Sequence, residues 1–281
     1  GEPMPPRGEI DLAKDLAGRR IRGNVYRQRG HCSAAIRLLA DFIPNLENLG
    51  LPPVVANFPS YQKGIVLVTG ETGSGKSTTL AAIIKKINET RRKHIITLED
   101  PVEYVHESKL SLVDQRCVGQ DTESYADGLR AILREDPDVI LIGEMRDFTT
   151  IETAITAAET GHLVFATLHT SGAAESIDRI VDVFPSERQK QVRMRLSMTL
   201  MAVLSQQLLK KKGGGRVCAC ECMIVTGAIR NLIREGKTPQ IANALATSAN
   251  VGSITMDNFI LKLLRENQID SATAKAATRE I

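Results

Sequence analysis

No apolar run in the 281-residue sequence approaches the roughly 18–20 residues that a membrane span requires. No stretch near the start combines charge, an apolar run and small residues in the manner of a secretory signal. Strong charge imbalance is also lacking. Lys and Arg number 36 against 33 Asp and Glu, a net charge of +3, so no concentrated basic face is signalled and nucleic acid is not an expected partner. The five cysteines contain no C-x-x-C pair, and their odd number in a long chain points to reduced thiols and a cytoplasmic setting. Internal repeats and long low-complexity stretches are absent as well. What remains is ordinary for a globular protein: 42% hydrophobic and 25% charged residues, enough for one large domain or one domain with a smaller piece.

The chain changes character near residue 63. Before it, Gly1–Arg7 is rich in Pro and Gly, and Ile10-Asp11-Leu12 and Ile21–Tyr26 alternate as strands of a small α+β unit already under way. A partial N-terminal domain over residues 1–50 is expected, then a proline-marked linker over 51–62. From Lys63 onward, short unbroken apolar runs appear: Ile65–Val68, Ile95–Leu98, Val139–Ile142 and Leu163–Leu168. Such runs suit parallel strands buried on both faces. Leu80, Ile83, Ile84 and Ile87 repeat at helical spacing between them, as do Ile151, Ala154, Ile155 and Ala158, with Gly161 as a stop. Strand and helix alternate, so residues 63–281 are expected to form a doubly wound α/β domain with a helical C-terminal portion. Ser186 and Gln189 stand at capping-box spacing, and the helix they open is expected to run to Lys210-Lys211-Lys212-Gly213. A short strand, Val217–Met223, follows it.

Gly70-Glu71-Thr72-Gly73-Ser74-Gly75-Lys76-Ser77 fits the phosphate-binding pattern G-x-x-x-x-G-K-S/T in full, and Thr78 continues it into a helix. A buried strand precedes the loop, as the chemistry needs. Glycines let backbone N–H groups turn inward onto phosphate oxygens, and the helix N-terminus adds partial positive charge. Lys76 is expected to reach the β- and γ-phosphates of ATP, and the Ser77 hydroxyl to ligate Mg²⁺.

Ligands of parallel sheets bind at the C-terminal strand ends. Those ends carry the P-loop, Glu99-Asp100-Pro101-Val102-Glu103, Gly143-Glu144-Met145-Arg146-Asp147 and His169. Phosphoryl transfer needs a metal, a group that orients water and positive charge at the γ-phosphate. Glu144 suits the metal shell, directly or through water, and Glu103 suits the water. For Glu99 and Asp147 an exposed loop end or a helix N-cap reads as well as a role at the site. His169 is placed to sense the γ-phosphate, whereas His162, just past a helix, suits either a catalytic role or a cap.

These segments resemble those of the secretion ATPase superfamily and, within it, the retraction ATPases of bacterial type IV pili. The resemblance runs over nearly the whole chain, through the P-loop, Thr97–Tyr104, Ile140–Asp147 and Ala158–His169. Ala228-Ile229-Arg230-Asn231-Leu232-Ile233-Arg234-Glu235 resembles the C-terminal motif linked to retraction, although its spacing also fits an ordinary amphipathic helix. The resemblance implies a RecA-like domain behind a PAS-like N-terminal unit, and a homo-hexameric ring that hydrolyses ATP with Mg²⁺. It further implies work at the inner face of the cytoplasmic membrane against a pilus platform protein. Glu103 corresponds to the water-activating glutamate and Glu144 to the Walker B glutamate. Arg22 and Arg37 match N-terminal arginines that reach a neighbouring subunit's nucleotide, though both also read as solvated strand residues. Gly23 stands where a β-branched residue is usual, and Cys218, Cys220 and Cys222 belong to no family signature. At period two they share one strand face and read as small apolar residues.

Three other readings compete. Extension or secretion ATPases carry a C-x-x-C insertion that this sequence lacks. A RecA-like nucleic-acid motor needs a basic channel, whereas the Arg91-Arg92-Lys93 cluster reads as the solvated end of a helix. A nucleotide-dependent scaffold that does not turn over is at odds with the set of Lys76, Glu103 and Glu144.

Overall fold

The structure is a computed structural model and describes residues 8–16, 19–38 and 42–278; the Pro- and Gly-rich start, Gly1–Arg7, lies outside the described residues. The alternating segments near the start form β1 (Glu9–Leu16), β2 (Arg19–Gln28) and β3 (His31–Leu38), paired antiparallel in that order. Leu12 is paired with Gly23, and a Cβ at residue 23 would meet the Leu12 side chain at 3.1 Å. The glycine makes room there for an apolar neighbour.

The unbroken apolar runs form the middle of a second, seven-stranded sheet. Its elements are β4 (Gly64–Thr69), α1 (Lys76–Thr90), β5 (His94–Glu99), β6 (Leu112–Cys117), α2 (Tyr125–Ile132), β7 (Val139–Ile142), α3 (Phe148–Glu159) and β8 (Leu163–Leu168). Then come α4 (Ala173–Asp182), α5 (Ser186–Thr199), β9 (Leu200–Lys210), β10 (Arg216–Ile224), α6 (Gly227–Glu235), α7 (Ile241–Ala246), α8 (Met256–Arg265) and α9 (Ser271–Ala277). The strand order is β10-β9-β4-β8-β7-β5-β6, parallel throughout except for β10. Strands β4, β7 and β8 are buried along their whole length, because helices cover both faces. The P-loop strand β4 lies between β8 and β9, so the loop opens at the middle of the sheet edge.

Two expectations change. The helix opened at Ser186 stops at Thr199, and Leu200–Lys210 is the strand β9. Continuous burial between β4 and β10 selects an extended chain for Leu200–Leu204, and local helical preference yields to it. The expected capping box does not form either. Pro185 occupies the N-cap, and Gln189 Nε2 donates to the Phe184 carbonyl at 3.1 Å.

Residues 51–62 are not a free tether. Pro53–Ser60 forms a 3-10 segment against α1, with Val55 and Phe58 buried in the same cluster as Ile83, Ile84 and Ile87. Arg91 donates to the carbonyls of Pro59 and Tyr61 and to Gln62, and Lys93 pairs with Asp138. Arg91 and Lys93 therefore anchor chain at the end of α1, while Arg92 between them is exposed, as a solvated helix end predicts. We expect Phe58→Ala to cost about 3–5 kcal/mol of stability, the usual penalty for emptying a buried aromatic site. Urea unfolding checks this, and an unchanged midpoint would restore the free-linker description.

Candidate active site

At the end of β4 the chain must turn tightly beneath a neighbouring strand. Gly70 has φ +136°, and a Cβ there would lie 2.2 Å from the Gln206 carbonyl oxygen and 2.7 Å from Ser74 Oγ. No other residue type fits. Gly73 (φ +83°) and Gly75 (φ +97°) complete the curl, and Gly75 is the N-cap of α1. No side chain caps this helix N-terminus, so its positive end faces the loop. Lys76 is 9% exposed, and its Nζ donates to the carbonyls of Gly70 at 2.6 Å and Glu71 at 2.9 Å. Burial holds this ammonium below its ordinary pKa, against the opposing charges of Glu144, Glu103 and Glu71. Ser74 Oγ is buried without a hydrogen-bond partner, an orphan of the kind that a bound phosphate satisfies. The loop from Gly70 to Ser74 also lines a cavity of about 290 Å³ with Ser171 and Arg216.

Glu144 follows β7 and Gly143. Gly143 is packed so closely that a Cβ would meet the Tyr125 hydroxyl at 2.8 Å and the Leu98 carbonyl at 3.1 Å. Thr167 Oγ1 donates to the Gly143 carbonyl, and Met145 N donates to the Thr167 carbonyl at 3.1 Å, which ties the ends of β7 and β8 together. Glu144 Oε1 sits 2.6 Å from Arg146 Nε and 3.1 Å from His169 Nε2. Its side chain is 17% exposed, against 73% for Arg146 and 46% for His169. Burial pushes the carboxyl up, but Arg146 and His169 outweigh it and hold the group below its ordinary value.

The Glu103 loop is fixed from below. Glu99 accepts from Thr97 Oγ1 at 2.7 Å and Gln115 Nε2 at 3.2 Å. Gln115 also donates to the Tyr104 carbonyl and accepts from His106 N. Burial raises the pKa of Glu99, which is half-buried at the end of β5 and supports the loop through these hydrogen bonds. Above it, the Tyr104 hydroxyl meets Thr78 Oγ1 at 2.9 Å and joins the Glu103 loop to α1. Asp147 is the N-cap of α3 and accepts from Thr150 N and Oγ1.

The P-loop, Glu103, Glu144 and His169 therefore share one sheet edge. His162 does not. It precedes β8, at the end where its carbonyl accepts from Gly64 N, and its ring Nδ1 lies 2.9 Å from the Ala157 carbonyl at the end of α3. The six residues of β8 separate it from His169 by about 20 Å at the usual rise of a strand. Arg22 and Arg37 face each other across β2 and β3, both exposed; neither lines the cavity beside the P-loop, but Arg22 lines another, of about 360 Å³, with Asp100 and Pro101 of the Glu103 loop. Arg230 is not solvated as an amphipathic pattern suggests. Its guanidinium donates to the carbonyls of Ser197 and Met198 at 2.6 and 3.0 Å and so caps the end of α5.

Sequence reasoning passed over Gln206, Thr167, Tyr104 and Gln115. Tyr104 lies within the quoted acidic segment, and its aromatic hydroxyl was the available signal. Gln206 had none, because its strand reads as helix.

The direction of the Glu144 shift carries a sign. Folded Glu144 holds its proton less tightly than the unfolded chain, so its stabilisation is complete above its ordinary value of 4.5 and is lost as pH falls through the lowered one. We expect Glu144→Gln to lower the urea midpoint at pH 7, with the gap from the unmodified protein closing as pH is taken below 4.5. A gap that is constant with pH would mean that Arg146 and His169 do not hold the carboxylate.

The type II/IV secretion system protein family matches residues 33–249. The chain is 50% identical over 268 residues to the type IV pilus retraction ATPase PilT of Pseudomonas aeruginosa, covering 95% of this chain and 78% of that protein. It is 50% identical over 269 residues to a twitching motility protein of Neisseria gonorrhoeae, covering 95% and 72%. The crystal structure of the pilus retraction motor PilT with bound ADP superposes with a TM-score of 0.92 at 50% identity, covering 98% of this chain and 78% of that one. With that fold, that loop and those relatives, the chain belongs to the type II/IV secretion system family and, within it, to the PilT-type ATPases.

Proposed function

We propose that this protein is the ATP-hydrolysing motor of type IV pilus retraction. The observation that carries this reading is the meeting, at one sheet edge, of a full P-loop with buried Lys76, the braced Glu103 loop and the paired Glu144. The P-loop amides from Gly70 to Ser77 and Lys76 grip the β- and γ-phosphates of ATP, and Thr78 holds the first turn of α1 against Tyr104. Glu103 orients the attacking water. Glu144 anchors the far side of the terminal phosphate, and His169, bonded to it, moves with any change there.

Mg²⁺ would be held by the Ser77 hydroxyl and Glu144, and when bound it neutralises phosphate charge. No cluster of three metal-ligating side chains occurs among the described residues, which fits an ion that arrives with the nucleotide and keeps phosphate and water ligands.

Arg22 lines a cavity with Asp100 and Pro101 of the Glu103 loop, away from the P-loop, and His162 lies at the far end of β8; in our reading Arg22, Arg37 and His162 act on the nucleotide of a neighbouring subunit in a homo-hexamer. The small N-terminal sheet then serves as the unit that presents arginines in trans. The ring docks through a platform protein at the inner face of the cytoplasmic membrane; no helix among the described residues is long and apolar enough to cross it. The identity to PilT and the absence of a C-x-x-C pair favour retraction over extension.

Glu103→Gln and Glu144→Gln should keep nucleotide binding, read by fluorescent-nucleotide titration, and lose turnover by about 10²-fold or more. Normal turnover in either variant removes that residue from the mechanism. An arginine supplied in trans is worth roughly 10³–10⁵ in rate, so activity per chain should fall steeply on dilution to monomers. Activity per chain that is independent of concentration excludes the trans arginines. Expression in a strain lacking its own retraction motor should restore twitching. Continued failure to retract, with ATP hydrolysis intact, would assign the motor to another pilus or secretion step.

A further inference from the structure

Strand β10 turns Cys218, Cys220 and Cys222 toward the α1 side of the sheet, into the cluster that holds Ile83 and Ile84. The three thiols are not equivalent. Cys220 and Cys222 are fully enclosed, whereas Cys218, 9% exposed, lines a cavity of about 340 Å³ with Gly75 and Thr78 at the start of α1. Cys218 Sγ lies 3.5 Å from Cys220 Sγ and accepts from Gln206 Nε2 at 3.1 Å. Gln206 is itself 3% exposed. Its Nε2 also donates to Thr79 Oγ1 at 3.0 Å, and its Oε1 is buried without a partner. The carbonyl of the same residue presses on Gly70. One buried amide thus touches the thiol pair, the first turn of α1 and the start of the P-loop.

We propose that Cys218 is an oxidation site, that Cys220 resolves it into an intrachain disulfide, and that Gln206 passes the change to the P-loop. The two sulfurs divide the work. The Cys220 thiol beside it holds Cys218 below the ordinary thiol range despite burial, with help from the Gln206 amide, and burial pushes Cys220 well above it. Cys218 is the one thiol of the three that lines the cavity, which gives a small peroxide access to it, so it is the nucleophile. The Cys218 thiolate attacks one oxygen of hydrogen peroxide: an S–O bond forms, the O–O bond breaks and hydroxide leaves. Cys220 sulfur, giving up its proton, then forms the S–S bond and the sulfenic oxygen leaves as water. Overall, two thiols lose two electrons and two protons while one peroxide becomes two waters. Alternate residues of a strand stand about 6.6 Å apart, whereas a disulfide holds its Cβ atoms about 3.8 Å apart, so the bond forms only as β10 contracts between Cys218 and Cys220, and that contraction draws Cys218 off the Gln206 amide. Gln206, whose Oε1 is already unpaired, then loses one of its two side-chain partners, and its hold on Thr79 and the P-loop loosens.

The test uses the assembled protein carrying Cys32→Ser, which removes an exposed thiol able to cross-link chains. Hydrogen peroxide should make the tryptic peptide Val217–Arg230 two hydrogens lighter and lower ATPase by about tenfold, the scale of one lost hydrogen bond, with recovery in dithiothreitol. Cys218→Ala should keep its own untreated rate through the same exposure. Cys220→Ala should leave Cys218 as a sulfenic acid that dimedone captures. Three results would overturn the proposal: an unaltered peptide in inactivated protein, equal peroxide sensitivity in Cys218→Ala, or a disulfide that leaves the rate unmoved. The mass measurement on the Cys32→Ser protein stands even where a strand variant fails to fold. Because untreated ATPase is measured alongside, failure here is distinct from failure of the motor assignment.

Discussion

The structure depends on one close approach: the backbone of Gly70 passing beneath the carbonyl of Gln206. The space between them, 2.2 Å from any Cβ that residue 70 could carry, is what lets β4 stop and curl directly into α1. With a bulkier residue the strand end would have to lift away from β9, and the loop that follows would lose its floor. The curl turns Gly73 and Gly75 to positive φ and sets Lys76 at the first position of α1. Lys76 is then long enough to fold back over its own loop and bond the Gly70 and Glu71 carbonyls. A helix N-terminus, a buried ammonium and inward amides are consequences of that single contact.

Around this positive centre the acids have different partners, and the partners set their charge. Glu99 is raised by burial, and it accepts hydrogen bonds that brace the Glu103 loop. Glu144 is only partly covered and is lowered by Arg146 and His169, so it stays ionised. Tyr125, beside Asp100, Glu144 and Glu99, is pushed upward first by burial and then by those acids, so it remains a neutral hydroxyl against Gly143. Glu99, Glu103 and Glu144 are all half-buried, so it is their partners that set them apart: Glu144 is paired with two cationic side chains, while Glu99 is held by a hydroxyl and an amide.

What was legible in the sequence follows from the same physics. The strands β4, β5, β7 and β8 were visible because burial on both faces demands unbroken apolar runs. α1 and α3 were visible because a helix packed on one side must repeat at 3.6 residues. β6 was not, since Leu112–Cys117 is an edge strand with polar residues on its open side. β9 was lost to helix-favouring residues whose extended form is imposed by neighbours far away in sequence. At the site, the P-loop, Glu103 and Glu144 were legible through spacing and strand-end position. Gln206, Thr167 and Gln115 were not, because their value lies in partners 127, 24 and 16 residues away, which no local pattern encodes. The prolines of residues 51–62 mark the irregular chain but say nothing of its packing. They break regular structure, but packing on α1 holds the irregular chain as firmly as a helix would.

The position of His162 bears on how such a protein must work. In a parallel sheet every strand has one end at the ligand and one end away from it, and a residue before β8 cannot cross the six-residue length of that strand. The Arg22–Arg37 pair meets a similar limit. Two guanidinium groups directly opposed on a small exposed sheet repel each other and gain little in place. An arrangement that keeps such a pair is favoured when anions neutralise the charge, and within the chain Asp11 and Asp100 line one cavity with Arg22. In the ring we propose, the phosphates held by another copy of this chain would add to that neutralisation, so that assembly would both relieve the repulsion and complete the site.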